Sequence, residues 1–132
     1  MNLTKNFTLN EMVNSEVGRR LKIANQPNAQ QIENLKILCE HLLQPLRDAC
    51  GQPLSISSGY RCRKLNEAVG GSSSSDHTHG RAVDITTDNP MAILAWVCRL
   101  NLSFDQAIIY KRFIHLSYRD KDTNRNQVIL KA

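Results

Sequence analysis

Ser75-Asp76-His77-Thr78-His79-Gly80-Arg81-Ala82-Val83-Asp84 sets two histidines and two aspartates within ten residues, and a third strand-and-loop histidine, His115, follows later in the chain. Zinc enzymes typically hold their metal with three nitrogen or oxygen ligands and leave the fourth tetrahedral position for water. A loop histidine, a carboxylate on the strand after it and a histidine on a neighbouring strand can supply that set, and Gly80 lets the backbone turn between the first two. In an extended segment His77 and His79 point to the same side, so spacing alone leaves two sets open. One is His77, Asp84 and His115; the other is His77, His79 and His115. Loop histidines beside a strand-end aspartate, with no metal, are the plain alternative. The sequence has no H-E-x-x-H helix, C-x-x-C knuckle, G-x-S-x-G elbow or P-loop.

Outward from this stretch, helices come first and strands last. Thr8-Leu9-Asn10-Glu11 is a capping box, with Phe7 and Met12 spaced as a hydrophobic staple. Asn28 and Gln31 open the longest helix, whose apolar face is Ile32, Leu35, Leu38, Cys39, Leu42, Leu46 and Ala49. Pro45 is expected to kink it, and Gly51 and Pro53 stop it. His41 on this helix reads as a surface histidine. A strand over 54–58, a short helix over 61–69, a polar loop over 72–75 and a strand over 82–85 follow. Asn89-Pro90 starts a helix with Met91, Leu94, Val97 and Cys98 on its buried face. Segments 106–110, 113–118 and 127–130 close the chain as strands. This order predicts an α+β fold with a mainly antiparallel central sheet. The reading is one domain over 1–132, helical over 1–53 and carrying the metal site and sheet over 54–132.

Composition narrows the class. A chain of 132 residues can bury roughly 65–70% of its unfolded surface, enough for a core without staples. No apolar run reaches the ~18 residues of a membrane span, so no membrane insertion is expected. The start lacks the basic-then-apolar order of a signal peptide, so synthesis in the cytoplasm is expected. Cys39, Cys50, Cys62 and Cys98 then read as free thiols, with Cys39 and Cys98 in the core. Of the net +5 charge, residues 99–132 carry +4 (seven basic, three acidic). That segment suits an anionic partner or a solvated mixed-charge surface. It holds no recognisable nucleic-acid module, and Tyr110, Phe113 and Tyr118 are among its few aromatic residues. Nucleic acid is not the expected partner.

Ser58-Gly59-Tyr60-Arg61, then Leu65-Asn66, Val69-Gly70-Gly71 and S-x-H-x-x-G-x-A-x-D from Ser75 to Asp84 resemble the zinc D-alanyl-D-alanine carboxypeptidase family. Phe113-Ile114-His115-Leu116-Ser117 looks like its third-ligand strand. The family includes bacterial carboxypeptidases, dipeptidases and small phage or prophage endolysins. The resemblance implies a hedgehog/DD-peptidase-like fold and one Zn2+ per chain, held by His77, Asp84 and His115. His79 then falls on a variable position. Arg61 matches the family's substrate-contacting arginine, and Ser75 matches a position near the substrate. The implied substrates are peptidoglycan stem peptides, met by a monomer at the cell wall after release from the cytoplasm.

One position departs from the pattern. The family commonly carries an acid three residues before the third ligand, as E-x-x-H, and Arg112 stands there, beside Lys111. A cation cannot serve as a general base. Asp105 is a candidate base, with Asp76 and Glu67 as loop alternatives. Zinc itself can bring water's pKa near 7 and work with a weaker partner. Alternatively, the domain keeps the metal, has lost catalysis, and binds cell-wall peptide or a protein.

Overall fold

The computed structural model describes residues 1–131, and its helices begin where side chains can hold their free N–H groups. Strand β1 (Asn2–Thr4) pairs antiparallel with β2 (Phe7–Thr8), and helix α1 (Leu9–Val13) follows directly. Thr8 Oγ1 accepts from Glu11 N at 3.2 Å, and Glu11 Oε1 accepts from Thr8 N at 3.4 Å. Phe7 and Met12 both enter the core. Helix α2 (Glu16–Arg20) is capped by Ser15, whose Oγ accepts from Gly18 N at 3.0 Å.

The longest helical rod runs from α3 (Ala29–Leu38) into α4 (Gln44–Cys50). Asn28 and Gln31 close its capping box with two bonds of 2.8 Å. Between the two helices, Cys39–Leu43 winds as a wider π turn, with Gln44 N bonded five residues back to Cys39 O. The π turn lies just before Pro45, which has no N–H to give and whose ring crowds the turn behind it. Leu35, Leu38, Cys39, Leu42, Leu43 and Leu46 are fully buried. Each buried leucine contributes roughly 1.5–3 kcal/mol.

Five strands form the main sheet: β3 (Ser55–Ser58), β4 (Ala82–Thr86), β5 (Gln106–Ile109), β6 (Phe113–Ser117) and β7 (Gln127–Leu130). Their order is β3-β4-β6-β5-β7, antiparallel throughout except for the parallel β5–β7 pair. The fold is therefore α+β with a mainly antiparallel sheet. Strand alternation sends Val83, Ile85, Ala107, Ile109, Ile114 and Leu116 into the core. Asp84 and His115, directly paired across β4 and β6, belong to the opposite face.

Two expectations need correction. Helix α6 (Pro90–Arg99) starts at Asn89 as expected, but it buries Pro90, Leu94 and Val97. Met91 and Cys98 are exposed, because each lies one residue, about 100°, off that stripe. Helix α5 (Arg63–Ala68) starts two residues later than the sequence suggests, since Arg61 N is bonded to His77 O and Cys62 caps the helix. All four cysteines are free. Among the described residues, no helix is long and apolar enough to cross a membrane.

Candidate metal centre

A 3₁₀ turn, Asp76–His79, carries the first histidine. Ser75 Oγ accepts from His77 N at 3.2 Å, and Gly80 closes the turn at φ +72°. Helix α3 clamps the turn from outside: Gln31 Nε2 donates to Thr78 O at 3.2 Å and Asn34 Nδ2 to His79 O at 2.9 Å. A Cβ on Gly80 would collide with the Gln31 carbonyl. In a 3₁₀ turn, residues two apart point in different directions. His77 is accordingly buried and His79 exposed. The extended geometry that would pair them is not adopted.

His77 Nδ1 lies 2.7 Å from Gly59 O, so its proton is donated there and the Nε2 lone pair faces the sheet. Nε2 is buried without a hydrogen-bond partner among the described residues, 3.3 Å from Asp84 Oδ1. Two acceptors facing each other at that distance call for a cation or proton between them. His115 Nδ1 sits 3.0 Å from the same Asp84 oxygen, and the two imidazole rings meet edge to face. One ligand atom from each of the three residues lies within 4.8 Å of the others. Burial pushes the Asp84 carboxyl up, but the His115 and His77 rings, at 3.0 and 3.3 Å, outweigh it and hold the group well below the usual carboxylate range. Two imidazoles and one ionised carboxylate make a donor set that fits zinc.

A protein-family model described as Peptidase M15 matches residues 5–117. The chain belongs to the peptidase M15 family. M15 peptidases are zinc-dependent, and the matched span contains all three clustered residues. No curated protein matches the chain.

Around the M15 cluster the structure brings together some of the expected residues and not others. A cleft of about 370 Å³ is lined by Arg61, Ser75, Asp76, Ile108, Tyr110 and Phe113 beside the three ligand candidates. Arg61 N donates to His77 O at 3.0 Å, and its Nε is buried without a partner. Burial lowers the pKa of its guanidinium while the Asp84 charge raises it, and an arginine stays charged under both. Ser75 both lines the cleft and caps the His77 turn.

Asp105 is not brought to the cleft. Gln106 and Ile108 face the cleft, so residue 105 has the parity of Ala107 and Ile109, which face the core. Its carboxylate has no exposed surface and is held by Arg125, at 2.9 Å from Nε and 2.8 Å from Nη2, and by Arg119 Nε at 3.2 Å. The Arg125 hydrogen bond, opposed by burial and aided by Arg119, keeps its pKa low. Glu67 lines a different hollow with Tyr60, Asn66 and His79. Arg112 points to solvent and pairs with Asp88 at 3.7 Å.

Sequence reasoning missed three features here. Tyr110 and Phe113 stack at 4.2 Å and form the aromatic wall of the cleft. Tyr110 was findable, because it shares its strand parity with Ile108. The Gly59 carbonyl was not, since a backbone acceptor leaves no trace in residue type.

Proposed function

We propose that this chain is a zinc peptidase that hydrolyses peptidoglycan stem peptides, with His77, Asp84 and His115 holding one Zn2+. The observation that carries the reading is the buried, partnerless Nε2 of His77 facing the ionised Asp84 carboxylate. When bound, zinc supplies Lewis acidity toward a peptide carbonyl and toward water. Arg61 offers charge-assisted hydrogen bonds to the carbonyl oxygen as it gains charge, or to a substrate carboxylate. Ser75 holds the His77 turn and presents a polar group to the substrate. Asp76, the other carboxylate lining the cleft, takes the proton from attacking water as the C–O bond forms. It returns that proton to the amine as the C–N bond breaks. Asp105 anchors the C-terminal segment instead of serving as base.

Residues 1–132 act as one unit in this reading, supported by a core that draws on residues from Leu3 to Tyr118. It works as a monomer on the wall after release from the cytoplasm, in the manner of a phage or prophage endolysin. The +4 charge of residues 99–132 favours contact with an anionic wall polymer. Incubating the protein with purified peptidoglycan should release peptide fragments, stop on chelation and resume on zinc addition. Intact peptidoglycan in the presence of zinc-loaded protein contradicts the reading. Arg112 in place of an acid favours one rival, a zinc domain that binds wall peptide without cutting it. That rival requires binding without turnover from about pH 5 to 9, a span over which a general base would titrate.

A further inference from the structure

The cleft does not end at the histidine–aspartate cluster. A second hollow of about 360 Å³ opens on the other side, lined by Ser15, Glu16, Ser57, Ser58 and Val69. Arg61 and Asp84 line both hollows, and they are the residues common to the two. A peptide laid across Asp84 therefore has room on both sides of the bond beside the cluster.

The chemistry of the second arm says what it takes. Glu16, exposed in the first turn of α2, joins no ion pair among the described residues. Arg61, at the junction, is the one lysine or arginine lining either arm, and the acids beyond it are Glu16 on one side and Asp76 on the other. A terminal carboxylate pushed past Arg61 into either arm would meet a like charge, whereas an amine in the second arm would meet an opposite one. The arm also runs along β3, which has β4 on one side only, and Ser57 and Ser58 belong to that edge strand. An edge strand can pair with an extended segment through its main chain, with side chains such as Glu16 giving selectivity.

We propose that this arm is a subsite for an extended peptide segment bearing a free amine, so that the chain cuts within a peptide and does not trim its last residue. The proposal rests on the peptidase reading above. Its test uses the synthetic stem peptide L-Ala-γ-D-Glu-L-Lys-D-Ala-D-Ala with an acetylated N-terminus, an amidated C-terminus and the lysine amine either free or acetylated. Calorimetry on the metal-free protein should show the free-amine form binding about two- to fivefold more tightly, the range of an exposed ion pair. Glu16→Gln, with unchanged melting temperature, should erase that difference, and the zinc-loaded wild type should cut the amidated peptide internally. Equal affinity for the two forms, or cleavage confined to the terminal residue of the free-acid peptide, overturns the proposal. An amine preference that is lost in Glu16→Gln, without cleavage of any peptide, keeps the subsite and removes the peptidase reading instead.

Discussion

Gly59 is where residue chemistry and the candidate metal centre meet. Its Cα lies against the Met12 carbonyl so closely that a Cβ would overlap it, and its own carbonyl takes the His77 Nδ1 proton. Gly59→Ala must push α1 and β3 apart, at a cost of about 1–3 kcal/mol for overpacking. Chemical denaturation should show that loss, and zinc titration should show weakened binding as the His77 ring loses its fixed tautomer. The two loop histidines should behave oppositely. His77→Ala is expected to abolish zinc binding, while His79→Ala, on an exposed ring turned away from the cluster, should leave it within about twofold in a competition titration. The three clustered side chains were legible in the sequence as candidate ligands because the motif carries them. The choice between His79 and Asp84 was not legible from spacing, since it depends on whether the segment is extended or wound as a 3₁₀ turn.

Helix α3 shows how an element that supplies none of the clustered side chains sets them in place. Its capping box fixes Asn28 and Gln31, and Gln31 and Asn34 then hold the carbonyls of the turn carrying His77. Asn28→Ala should cost about 1 kcal/mol, the usual loss of an N-cap, read as a lower denaturation midpoint. Both boxes were visible in the sequence because a cap is a local pattern of two residues. The β1–β2 ribbon was not visible, since strands of three and two residues are too short to alternate. The phase of α6 differs from its apolar pattern by one residue at each end, because apolar Met91 and Cys98 sit beside the true stripe.

Across the whole molecule, the part beyond the M15 match is tied back by one buried acid. Asp105 holds Arg119 and Arg125, and β7 closes the sheet in parallel with β5. The sequence showed Asp105 only as a charge near the third-ligand strand; its face and partners depend on where 119–125 folds. Asp105→Ala should cost about 1–3 kcal/mol by leaving the Arg125 N–H and both guanidinium groups without their acceptor. Because the folded Asp105 pKa lies below the unfolded value of about 3.9, its contribution is complete above roughly pH 4 and is lost as pH falls through the folded value. Acid titration of stability should therefore fall less steeply below about pH 4 in Asp105→Ala than in the wild type.

Metal analysis of purified wild type and Asp84→Ala tests the central claim most directly. The account predicts about one zinc per wild-type chain, as three protein ligands with the fourth position left open would hold, and none in Asp84→Ala folded to the same circular dichroism spectrum. Zinc retained in full by Asp84→Ala, or absent from wild type supplied with zinc, would contradict it.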